Sequence, residues 1–146
     1  MARHSLIYAA TILAFSFWIS NCKTNHNSSD IIDGMSHYDR LLEKMDLDSI
    51  ALQYTPDGEL GDVAKGRDTI RNFLKKFSEY KVLSNNSITD SIKIFGDTAI
   101  QKGTYKQVTI LPTKDTAHIK GQFETHWIWN PKDGWKISRM ITTPLQ

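Results

Sequence analysis

The chain has 146 residues, 40% of them hydrophobic and 23% charged, with a formal net charge of +2. That is enough for one domain with its own core, while so small a positive charge, with no Lys/Arg cluster, gives no footprint for a nucleic-acid partner. The single cysteine excludes an internal disulfide framework.

In chain order, Arg3 and His4 make a short basic start, and Leu6 to Ile19 is an uncharged apolar run too short to span a bilayer comfortably. Ile19-Ser20-Asn21-Cys22 follows. The segment resembles a bacterial lipoprotein signal peptide, in which an apolar residue and two small ones precede a cysteine that is lipidated and becomes the new N-terminus. Asn21 stands where Gly, Ala or Ser is usual. The resemblance implies a signal peptide over residues 1–21, a lipid on Cys22, and a polar tether over 22–30 that leads into a domain over 31–146. It also implies a place in the bacterial cell envelope; with no acidic residue directly after Cys22, that place is the outer membrane.

Met35, Tyr38, Leu41, Leu42 and Met45 recur at helical spacing, so a first helix is expected from an Asp33 cap to about Lys44, with Asp39, Arg40, Glu43 and Lys44 in solvent. Asp46 or Asp48 restarts a short helix that buries Leu47, Ile50, Ala51 and Tyr54. Thr55-Pro56-Asp57-Gly58 reads as a turn, Glu59 to Val63 as a short strand, and Ala64-Lys65-Gly66 as a loop. Arg67 or Asp68 opens a third helix, where Ile70, Phe73, Leu74 and Phe77 form one apolar stripe.

From Tyr80 the period changes to two. Strands are expected over Ser84–Phe95, Thr98–Ile110, Ala117–Trp129 and Trp135–Thr142, with Gly96-Asp97 as the first tight turn. The last pair is a hairpin rich in tryptophan. Phe123, Thr125, Trp127 and Trp129 share one face, Glu124, His126 and Ile128 the other, and Trp135, Ile137 and Arg139 alternate on the way back. Such a hairpin is too apolar to stand alone in water. Helices first and sheet later give an α+β fold: three N-terminal helices packed in a strongly curved antiparallel sheet, with the 59–63 strand on an edge.

On these residues the chain resembles the nuclear transport factor 2-like superfamily, which includes ketosteroid isomerase and the SnoaL-like polyketide cyclases. The resemblance covers about Ile31 to Pro144. It rests on the order of elements, on Tyr54-Thr55-Pro56-Asp57-Gly58, on Gly66 before the third helix, on Phe95-Gly96-Asp97-Thr98-Ala99, and on Thr125-His126-Trp127 with Asp133-Gly134-Trp135-Lys136-Ile137. It implies a cone whose open end is a pocket. By comparison with ketosteroid isomerase, it places the carboxylate base at Asp62 and the hydrogen-bonding tyrosine at Tyr38. The position of the isomerase's protonated acid falls on Thr125, a weaker donor, so isomerase activity is not carried over.

Three functions compete. The first is a membrane-tethered binder of a small, mostly apolar molecule, with Tyr38, Asp62 and Thr125 as polar contacts, Tyr54, Phe73 and Trp127 as further lining, and a pocket of roughly 300 Å³ or more. The second is an isomerase, cyclase or dehydratase with Asp62 as general base and Tyr38 as donor. The third is a dimer or envelope interaction module that uses the outer sheet face around His126 and Ile128. Plainer readings stand beside these: Asp62 as an exposed edge charge, Tyr38 as a core tyrosine, Trp127 and Trp129 as core or dimer-face residues, and Arg139 paired with Glu124. No cofactor is expected. No metal site is expected either: His118 and His126 lie roughly 26 Å apart on one extended strand and have no third ligand at recognisable spacing.

Overall fold

The computed structural model describes residues 26–145; the apolar run and Cys22 lie outside them. Among these residues no helix is long and apolar enough to cross a membrane. Helix α1 spans Ser28–Lys44 and starts before Asp33, because Asn27 takes the cap: its side chain accepts from the Ser29 N–H at 3.1 Å. Asp30 adds a negative charge to the first turn, where the helix dipole favours one. Residues 28–30, expected in the tether, are therefore helix. Met45 ends it in the left-handed region, its N–H donating to the Leu41 and Leu42 carbonyls. Helix α2, Leu47–Gln53, is capped by Asp46, which accepts from the Ser49 N–H at 3.1 Å.

The expected turn at 55–58 lies inside strand β1, Tyr54–Leu60. A register break between Tyr54 and Glu59 accommodates Pro56, which has no N–H to give a ladder. Gly61, at φ +52°, then turns the chain into β2, Ala64–Lys65. Helix α3, Arg67–Leu74, follows and ends in a 3-10 turn over Lys75–Phe77. The four long strands are β3, Lys81–Phe95, β4, Thr98–Ile110, β5, Thr116–Asn130, and β6, Gly134–Pro144, an antiparallel meander as expected. The sheet order is β2-β1-β6-β5-β4-β3. The sheet is mixed rather than wholly antiparallel, because α2 delivers β1 to the end where β6 begins, and the two run side by side in one direction.

Bulges between Val82 and Ser84, between Thr89 and Ser91, and opposite His126–Trp127 bend the sheet round the helices. The third also changes a face. Trp127 pairs with Ile137, but His126 pairs with Arg139, so one extra residue moves Arg139 off the face that simple alternation gives it with Trp135 and Ile137. Ile31, Tyr54, Ile70, Trp127 and Ile137 form the driest part of the core. Trp127 keeps its indole satisfied there: Nε1 donates to Gln101 Oε1 at 3.0 Å, and Gln101 Nε2 donates to Thr89 Oγ1 at 2.8 Å.

The segment before α1 is also held. The His26 ring lies 4.6 Å from the Trp129 ring and 4.8 Å from the Trp135 ring, and its Nε2 meets Asp97 Oδ1 at 2.9 Å.

Gly103 of β4 lies under Phe123 of β5 in the ladder. A Cβ there would come within 2.7 Å of the Phe123 ring and would also meet the Ile88 carbonyl. Gly103→Ala is expected to cost about 1–3 kcal/mol by overpacking, read as a lower urea midpoint with an unchanged slope. An unshifted midpoint would show that both the Ile88 backbone and the Phe123 ring give way freely.

Candidate functional site

Strand β3 is the last strand of the sheet, so one row of its backbone N–H groups has no strand to bond. Helix α1 lies along that edge. Asp39 and Glu43, one helical turn apart, are about 6 Å apart along the axis. Asn85 and Ser87, two apart on the strand, are about 6.6 Å apart. The two spacings match. Ser87 N–H donates to Asp39 Oδ2 at 2.9 Å, and Asn85 N–H donates to Glu43 Oε1 at 2.9 Å. Asp39 Oδ1 also accepts from Asn85 Nδ2 at 2.7 Å and from Ser87 Oγ at 2.8 Å.

Between α1 and the concave side of the sheet lies a partly enclosed cavity of about 170 Å³. Met35, Leu42, Leu60, Leu74, Phe123 and Met140 supply its apolar wall. Its polar side is Tyr38, Asp39, Asn85, Ser87 and Gln107, together with Tyr105 and Thr142. The volume is smaller than the roughly 300 Å³ expected of a pocket for a drug-sized molecule. It is close to that of an engineered apolar cavity, about 150 Å³, that takes up benzene.

Asp39 is the residue that sequence reasoning missed. It was assigned to solvent, yet only 8% of its surface is exposed. A signal was present: Met35, Tyr38, Asp39 and Leu42 are spaced i, i+3, i+4, i+7, so Asp39 occupies a slot of the buried stripe. A carboxylate has about four lone-pair positions. Three are used here, which leaves one on Oδ2, and Asp39 is among the residues that line the cavity.

Tyr38 is buried and lines the cavity as well. Its hydroxyl is 3.1 Å from that of Tyr54, and the Tyr54 hydroxyl donates to Met140 Sδ at 3.7 Å. The two hydroxyls are thus paired with each other inside the core, and either can be the donor. Burial pushes the Tyr38 hydroxyl up to about 12, partly offset by the bond to Tyr54. Burial also raises Tyr54 well above the ordinary tyrosine range, and neighbouring Tyr38 adds to that.

The other expected site residues fall elsewhere. Asp62 is not in the cone. It sits in the turn after β1 with its side chain 93% exposed, and its Oδ1 accepts from Arg139 Nη2 at 2.9 Å. The reason is that β1 ends at Leu60 and the left-handed Gly61 carries Asp62 out to the rim. Arg139, moved by the bulge, also donates to Glu59 Oε2 at 3.1 Å, so it does not pair with Glu124. Glu124 is taken by Lys102 and His126 on the outer face, which hold its carboxyl below the usual range. Tyr54, Phe73, Thr125 and Trp127 are not among the lining. Thr125 is fully buried, and its hydroxyl has no partner among the described residues. Phe73 packs edge-on against Phe77, and it is Leu74 beside it that reaches the cavity. Among the described residues no three His, Cys, Asp or Glu side chains are placed to hold a metal ion.

Burial raises the carboxyl of Asp39 above its ordinary value of 3.8, against the opposing bonds from Ser87 and Asn85, and nearby Glu43 raises it further. A carboxyl with a raised native pKa holds its proton more tightly folded than unfolded. Its contribution to stability is therefore greatest below pH 3.8 and is lost as pH rises through the native value. The unfolding free energy of the wild type relative to Asp39→Asn is expected to fall as pH rises from the acid side toward neutrality, no more steeply than about 1.4 kcal/mol per pH unit. A difference that grows with pH would mean that the hydrogen bonds outweigh burial.

The SnoaL-like domain family matches residues 26–141. No curated protein matches the chain. Among solved structures, a ketosteroid isomerase-like protein from Erwinia carotovora atroseptica superposes with a TM-score of 0.73 at 16% identity, over 84% of this chain and 98% of that one. A nuclear transport factor 2-like superfamily protein from Salmonella enterica gives 0.68 at 18% identity, over 81% and 90%. ActVI-ORFA from Streptomyces coelicolor gives 0.67 at 14%, over 80% and 96%. At these identities the likeness is one of fold, and the fold is the one that the sequence motifs implied.

Proposed function

Because the chain belongs to the SnoaL-like domain family, a fold built round a pocket, we propose that it is a membrane-tethered lipoprotein whose domain binds a small, mostly apolar molecule carrying one hydrogen-bond donor. The observation that carries this reading is the cavity of about 170 Å³, apolar on most sides, with Asp39, which keeps one lone pair unused, on its polar side. A ligand of single-ring size packs against Leu42, Phe123 and Met140. Its donor bonds to Asp39 Oδ2, and an acceptor on it has Gln107 within the same wall. The tether is Cys22, through the lipid that its signal-like context implies.

A second reading makes the same site a catalyst, with Asp39 in place of the excluded Asp62 as the proton carrier. Its support is the raised carboxyl of Asp39 beside the buried Tyr38 in one cavity. Against it, the Tyr38 hydroxyl is already paired with that of Tyr54, and Asp39 is already committed to the edge of β3. The binder needs neither group to move a proton. The middle of the outer sheet face carries an ion-pair cluster of Lys102, Glu124 and His126, which suits solvent better than an apolar dimer seam.

The test is a titration of the isotope-labelled domain with phenol and with benzene, followed by amide shifts. Phenol is expected to move the Asn85 and Ser87 amides and to bind about tenfold more tightly than benzene, as one charge-assisted hydrogen bond allows. Leu42→Trp, which fills the cavity, is expected to abolish both responses. Phenol binding that survives Leu42→Trp would overturn the site. A product formed from a carbonyl substrate and lost in Asp39→Asn would favour the catalyst.

A further inference from the structure

Resting on the lipid-tether reading, we infer that the end of the sheet formed by the β3–β4 and β5–β6 turns is a membrane-facing surface, pressed to the bilayer by the docking of His26. The His26 side chain is only 3% exposed, closed in by Trp129 and Trp135 and bonded to Asp97. Trp129 and Trp135 flank the β5–β6 turn, and Asp97 lies in the β3–β4 turn, its carbonyl accepting from the Trp129 N–H at 2.8 Å. One histidine thus fixes the entry of the chain to the tips of both hairpins.

Only Lys23, Thr24 and Asn25 stand between Cys22 and His26. Four residue steps reach at most about 14 Å. A lipid on Cys22 therefore brings the docked end to the headgroups, and the 111–115 loop lies at the other end of the strands, at most about 40 Å further out. The surface at this end suits such a partner. Phe95, Thr98, Ile128 and Lys136 form one cross-strand row on the outer face. Phe95 is 61% and Ile128 41% exposed. Lys93 and Lys132, both exposed, flank them. Asp97 and Asp133, also exposed, share the two turns, so the three lysines leave a small positive excess around the apolar row, which fits the headgroup boundary of an anionic bilayer.

The experiment uses the full chain in vesicles of phosphatidylethanolamine and phosphatidylglycerol that carry an acceptor lipid. A donor dye is placed at Lys132→Cys or at Thr113→Cys. Energy transfer is expected to be several-fold greater from position 132 than from 113. His26→Ala is expected to remove the difference. So is a long Gly-Ser insertion after Lys23, which leaves the His26 docking and the fold intact. Equal transfer from both positions, or a difference that survives both changes, overturns the orientation while leaving a lipidated chain tethered. A mature chain whose mass shows no lipid on Cys22 overturns the tether and the orientation together.

Discussion

The contact on which the site depends is the pair of carboxylates that α1 lays along the open edge of β3. An edge strand has backbone donors that need partners, and Asp39 and Glu43 supply them at matching spacing. That fixes the helix over the sheet at one height and one rotation. Tyr38, next to Asp39, then turns toward Tyr54 and Met140, and Met35 and Leu42 turn to the cavity. Rotated by one residue, the helix would offer the strand an arginine or a tyrosine, and the hollow would be lost.

The same contact makes Asp39 ambiguous in an instructive way. A carboxylate used only to cover an edge is satisfied and silent. A carboxylate used only for chemistry leaves its lone pairs to the substrate. Asp39 does the first with three bonds, retains one unused lone pair, and lines the cavity. This favours recognition over turnover, since a group held by three donors moves little.

At the far end of the hairpin a second constraint operates. Trp129 and Trp135 are placed to shelter the core, but they also close round His26, so the chain before α1 enters at a defined point. The apparent excess of tryptophan in β5 and β6 thus divides into two uses: Trp127 fills the centre with its indole bonded to Gln101, and the other two grip the N-terminal segment.

Period and order of elements were enough to read the three helices, the long meander, the Asp46 cap and the family resemblance, because each depends on residues close in sequence. The lipid tether is likewise a reading of local sequence, and Cys22 lies outside the described residues. The site was less legible. Asp62 looked placed for chemistry until a left-handed glycine took it to the rim, and Arg139 changed face through one bulged residue. Asp39 looked solvent-facing because a carboxylate on a stripe is hidden only if something distant needs it, and the edge of β3 lies more than forty residues further on. Sequence determines which elements form, since hydrophobic period and caps act within a few residues. Only the tertiary structure decides which polar groups are buried, since that depends on which backbone donors remain unpaired after the strands have met.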